Sequence, residues 1–287
     1  MRWDLGRRSD NIEDRRGQGL PRRIKGGGIG VLLLALVGMY FGIDPAIILN
    51  LLGGSDIALV DQSPQRQAPP NPAQDRLADF VSVVLADTED TWKEQFRRMG
   101  ATYQEPKLVL FHGAVHSACG FAQAATGPFY CPGDGKVYID LDFYDELKHT
   151  LHAPGDFAQA YVVAHEIGHH VQNLLGISDK VHAARQRVSQ VAYNQLSVRL
   201  ELQADCFAGI WAHHADRSRG VVEPGDIDEA LNAASQIGDD RLQRASRGAI
   251  TPDSFTHGSS AQRMRWFRRG FASGTMQDCN TFGTDEL

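Results

Sequence analysis

The chain has 287 residues, 42% apolar and 22% charged, with a net charge of −6. That length allows one large domain or two small ones, and that composition is ordinary for a globular protein. The acidic balance argues against a general nucleic-acid binder, so no nucleic-acid partner is expected.

The charge is unevenly spread. Arg2, Arg7, Arg8, Arg15, Arg16, Arg22, Arg23 and Lys25 face only four carboxylates within residues 1–25. Next comes "GGGIGVLLLALVGMYFGI", Gly26 to Ile43, with no charge, and "AIILNLLGG" continues its apolar character past Asp44-Pro45. An uncharged run of this length is enough to span a bilayer, and the basic residues before it predict a cytoplasmic N-terminus. A cleaved signal peptide suits it less well, because no A-x-A site follows closely. The expected plan is a basic cytoplasmic tail (1–25), a transmembrane anchor (26–52), a Pro/Gln-rich linker (53–75) and a domain (76–287). That makes a single-pass inner-membrane protein whose domain is extracytoplasmic, or periplasmic.

In the domain, Leu77, Phe80, Val81, Val84, Leu85, Thr88, Trp92 and Phe96 recur at helical spacing. "KLVLFHG" predicts a buried strand, and "FYCPGDGKVYIDL" two strand pieces around a turn. "DFYDEL" begins a helix, and Phe157 to Leu175 predicts another, with Gly176 as its stop. A loop, a long helical stretch over about 183–215, a helix opening at Asp226 and a last helix in "SSAQRMRWFRRGFASG" follow. There is no internal repeat. The fold class expected is α+β, helices packed on a small sheet. The strand in "GKVYIDL" could lie at the sheet edge and pair with a peptide, or lie in the interior; its sequence fits both. Four cysteines in an exported domain predict disulfides. Cys119 and Cys131 are close and bracket a Gly-rich segment, which leaves Cys206 with Cys279.

The chemistry begins in "YVVAHEIGHHVQNLL". His165 and His169 are four apart, so a helix aims both imidazoles at one point. Catalytic zinc takes three protein ligands and keeps one open position. Glu166 lies about 100° round the helix and can flank the metal as a general base. Val162, Val163, Ile167 and Val171 surround the motif, and unpaired polar groups there would be costly. "VRLELQADCFAG" offers Glu201 as third ligand, one Zn2+ per chain, and Asp205 one turn on to hold a ligand imidazole.

Other histidines carry less. His112 and His116 follow a strand pattern with no acidic residue beside them, which predicts loop histidines. His170 points away from His169 and suits a bond to a carbonyl. His213 and His214 suit a helix C-terminal end.

HExxH followed by E-x-x-x-D resembles the thermolysin-like zinc peptidases. "FAQAYVVAHEIGHHVQNLLG", "SVRLELQADCFAGIWA" and "SFTHGSSAQRMRWFRRGF" resemble, more closely, a bacterial family of neutral zinc metallopeptidases. The resemblance covers the whole chain and implies a zincin-like fold, with His165, His169 and Glu201 as ligands and Glu166 as base. "THGSSAQR" is similar to the H-P-x-x-x-x-R block of membrane-embedded zinc endopeptidases, with Gly258 in place of Pro. There His257 would stabilise the transition state, and Arg263 would do so or serve structure. The activity implied is hydrolysis of peptide or protein substrates by metal-activated water. A non-catalytic zinc scaffold of the envelope, or an envelope amidase, would use the same residues.

Overall fold

The computed structural model describes residues 1–17, 71–123 and 127–287. Three parallel strands, β1 (Ile12–Asp14), β2 (Lys107–Phe111) and β6 (Lys136–Asp140), and antiparallel β5 (Phe129–Cys131) form one sheet in the order β1-β2-β6-β5. A hairpin of β3 (Ala114–Ser117) and β4 (Gly120–Gln123) stands apart. Parallel neighbours need a crossover connection. The link from β1 to β2 contains α1 (Pro72–Arg98), capped by Asn71 with Pro72 in its first turn. α1 buries Phe80, Val81, Val84, Leu85, Thr88, Trp92 and Phe96, the positions its periodicity predicts, and over Phe80 to Glu89 it is covered on its other faces too.

This corrects the α+β expectation. The fold is mixed α/β, because the segment expected to be a free tail supplies an edge strand. Ile12-Glu13-Asp14 has one apolar residue and carries no strand signal. It is a strand because it pairs with Leu108, Val109 and Leu110. Trp3 is buried edge-on against Phe80, with ring centroids 5.3 Å apart. The basic residues bond carboxylates of the domain: Arg7 with Glu89 at 2.8 Å, Arg8 with Asp79 at 2.6 Å, and Arg16 with Asp75 at 3.1 Å.

Residues Met1–Arg16 and Pro69–Leu287 therefore make one compact unit. A single crossing between them would put β1 and β2 on opposite sides of a bilayer, which their shared hydrogen bonds forbid. The single-pass plan, with a cytoplasmic tail and the domain across the inner membrane, is overturned. Residues 26–52, expected as its anchor, lie outside the described residues, as does most of the linker. Among the described residues no helix is long and apolar enough to cross a membrane.

The helices that carry the site follow the sheet. α2 (Asp142–His149) leads to α3 (Asp156–Leu174), which ends just before left-handed Gly176, as expected. The expected loop after it is α4 (Ile177–Ala184). The long helical stretch is α5 (Gln190–Arg219), which starts afresh at its cap Ser189. α6 (Asp226–Gln236), α7 (Asp239–Arg247) and α8 (Ser260–Ser273) complete the domain, α8 opening on a Ser259–Gln262 capping box. α5 and α8 approach closely because Gly209 and Gly270 leave no side chain between them. Both expected disulfides are present. Cys119–Cys131 ties the hairpin to β5, and Cys206–Cys279 ties α5 to the C-terminal segment. The strand in "GKVYIDL" is β6 and lies inside the sheet; β5, beside it, is an edge.

Candidate metal centre

α3 is apolar on most of its surface, and its core packing leaves His165, Glu166 and His169 lining a cleft of about 560 Å³. α5 crosses beside it. The contact is tight at Gly168, where a Cβ would lie 3.0 Å from the Ala204 carbonyl oxygen and 3.1 Å from its Cα. That closeness lets Glu201 reach both rings. Its Oε2 is 3.2 Å from His165 Nε2, and its Oε1 is 3.5 Å from His169 Nε2. The two Nε2 atoms are 3.2 Å apart.

A tetrahedral ion with bonds of about 2.0–2.1 Å has ligand atoms about 3.3–3.4 Å apart, and the two ring nitrogens, each with one oxygen of the Glu201 carboxylate, are spaced in that way. The tautomers agree. His165 Nδ1 lies 2.9 Å from Asp205 Oδ1, and His169 Nδ1 lies 2.9 Å from Gln172 Oε1. Both partners accept, so each Nδ1 carries a proton and each Nε2 faces inward, where the neutral ring would offer its lone pair to an ion. Gln172 is held in turn, its amide donating to the Leu200 carbonyl at 2.7 Å. Burial opposes charge on His165, yet Asp205 and Glu201 outweigh it and pull its pKa up to about 10. The surroundings thus favour positive charge at this point, and the donor set fits zinc.

Asp205 is fully buried. It accepts from Tyr161, and from Arg263 through Nε at 2.8 Å and Nη2 at 2.9 Å. Burial pushes its carboxyl up, but Arg263 and His165 hold it down at about 2. Arg263, weighed between a transition-state and a structural role, has Nε and Nη2 on this carboxylate, with only 2% of its surface exposed.

A family model described as "Putative neutral zinc metallopeptidase" matches residues 1–282. The chain belongs to this family. It is 53% identical to "Uncharacterized protein YpfJ" of Escherichia coli K12, over 99% of each chain. It is 41% identical to "Uncharacterized protein Rv2575" of Mycobacterium tuberculosis H37Rv, over 72% of this chain and 73% of the relative. No solved structure matches. Zinc is the ion the family description implies, and it agrees with the donors found here.

His257 borders the same cleft of this zinc-metallopeptidase family member, half exposed. Its ring is held by Asp239, a residue the sequence did not single out. Asp239 Oδ1 lies 3.2 Å from His257 Nδ1, and Oδ2 accepts the N–H groups of Thr256 and His257 at 2.7 Å and of Gly258 at 3.1 Å. This hydrogen-bonded carboxylate raises the His257 pKa. Gly258 has a φ of +92°, which proline cannot adopt, so the departure from the H-P block has a backbone cause. His170 turns away and donates to the Gln104 carbonyl at 2.6 Å, while His213 and His214 bond the Phe271 and Gly274 carbonyls.

Proposed function

We propose that the protein is a zinc-dependent peptidase, with the ion held by His165, His169 and Glu201. The observation that carries this reading is the convergence of those three ligand atoms in an open cleft that Glu166 also lines. When bound, zinc would polarise the substrate carbonyl and make water acidic enough to attack near neutral pH. Glu166 takes the proton released as water adds to the carbonyl, and returns it to the leaving amine. His257, oriented by Asp239, donates to the oxygen that gains negative charge. Asp205 and Gln172 hold the two ligand tautomers. A peptide, rather than another amide, is supported by β5. Its outer edge has no neighbouring strand among the described residues, and Phe129 and Tyr130 line the cleft, so an extended backbone could pair there.

The test is the zinc-loaded full chain on a peptide library, read by mass spectrometry of the products, beside Glu201→Ala. The parent should cleave, and the variant should lose the cleft's zinc and the cleavage together. A parent that binds zinc in the cleft and cleaves nothing would end the proposal.

His257 gives a second readout. Asp239 keeps the ring cationic to higher pH than an ordinary histidine, so kcat/KM should fall on the alkaline side as the ring deprotonates. Asp239→Asn removes the raising charge and should move that limb to lower pH. His257→Ala should abolish the limb and lower kcat by about 10²–10³-fold, the usual cost of one oxyanion donor, with zinc retained. An alkaline limb unmoved in both variants would remove His257 from the reaction.

A further inference from the structure

His112 lies in a bend just after β2, as its sequence predicts, but the fold brings it the acidic company that the sequence does not show. β2 and β6 are parallel neighbours, with Phe111 opposite Asp140, so the residues just beyond their carboxyl ends lie together. His112 Nδ1 is 3.5 Å from Asp140 Oδ1 and 3.4 Å from Asp142 Oδ2. These are too long for charge-assisted hydrogen bonds, which run at about 2.7–2.9 Å. Nδ1 is nevertheless a buried atom with no hydrogen-bond partner.

Its protonation follows from Gln74. The Gln74 amide nitrogen donates to Asp142 Oδ1 at 3.4 Å, which turns its oxygen toward the ring, 3.1 Å from His112 Nε2. Nε2 therefore carries a proton and donates it. In the neutral ring Nδ1 presents a lone pair to two carboxylates, an arrangement that is repulsive unless positive charge sits between them. The spacing of Nδ1 from the two carboxylate oxygens matches that of ligands around one ion with bonds of about 2.0–2.1 Å.

The carboxylates are also held in place. Asp140 is fully buried; its Oδ2 accepts the Gly113 N–H at 2.7 Å, and its Oδ1 accepts the Asp142 N–H at 3.0 Å. The His112–Gln74 bond repeats the His169–Gln172 arrangement, in which a glutamine oxygen fixes the tautomer of a ligand ring. The Asp142 side chain is 59% exposed, so an ion has a way in and room for water.

We propose that His112, Asp140 and Asp142 form a second divalent-cation site, suited by one imidazole and two carboxylates to a zinc- or manganese-type ion. It joins β2, β6 and the start of α2. Phe143, next to Asp142, lines the cleft, so the ion would also fix part of that wall. The proposal stands on these residues alone and does not require the peptidase reading.

The test is bound zinc per chain, by elemental analysis of the full chain after loading and passage through metal-free buffer. The parent should retain about two ions, and His112→Ala and Asp142→Ala about one each. Asp142→Ala alters a half-exposed side chain and decides the matter should His112→Ala fail to fold. One ion in the parent, kept by the folded variants but lost by Glu201→Ala, would overturn this site and leave the peptidase reading standing. One ion kept by Glu201→Ala but lost by Asp142→Ala would do the reverse.

Discussion

Glu166→Gln is expected to keep the fold and the zinc content of the parent and to lose peptide turnover by about 10²–10⁴-fold in kcat, the range for removing a general base. The substitution keeps the side chain's size and its place in the cleft. It removes only the capacity to take a proton. Glu166 is 8% exposed, so bulk water does not readily substitute for it. KM should change little, because the residue is assigned to proton transfer rather than to holding the peptide. Steady-state kinetics on a cleaved library peptide, beside metal analysis, checks this. Parent-like kcat in a zinc-loaded Glu166→Gln protein would strip the residue of its role.

The largest effect on stability is expected at Asp205. Asp205→Ala would leave the Arg263 guanidinium, 2% exposed, without its principal partner, and would also take an acceptor from Tyr161. Breaking a buried ion pair from one side costs about 3–5 kcal/mol, a large share of the roughly 5–15 kcal/mol that holds a domain together. His165 loses the acceptor that fixes its tautomer, so zinc affinity should also fall, by about 10–100-fold. Replacing both partners, Asp205→Leu with Arg263→Met, should cost less than Asp205→Ala alone, because no charge is left stranded. Urea midpoints at equal zinc saturation measure the comparison. A double variant less stable than the single would show that the pair stabilises by more than mutual neutralisation.

The HExxH and E-x-x-x-D residues were legible because helical geometry converts spacing of four into a shared face. That Asp205 could hold a ligand imidazole followed from the same rule; that the ring is His165 is set by the packing of the two helices. Partners brought in by tertiary structure were not legible. Asp239 lies 18 residues before His257 and meets it only because the chain turns back after α7. Asp140 and Asp142 lie some 30 residues beyond His112 and meet it only because two strands run parallel. The N-terminal basic residues misled for a related reason. A sequence shows that Arg7, Arg8 and Arg16 are positive, but not that Glu89, Asp79 and Asp75 wait for them on α1. Among the described residues, the basic side chains that resemble a topology signal are half of a set of ion pairs. Strand β1 was missed because one apolar residue in three makes no pattern, and its hydrogen bonds to β2 are what make it a strand.

Gly168, inside the motif and bearing no chemistry, has a consequence for how an ion would be acquired. The two rods meet backbone to backbone at Gly168 and Ala204, within an interior already closed by apolar neighbours. The cradle is therefore assembled when the polypeptide collapses, not when the guest arrives. Zinc-finger modules stand at the opposite pole, since they have no shape until their ion supplies one. Here a chelator should silence the molecule yet leave its circular dichroism intact, and returning the ion should restart it without refolding.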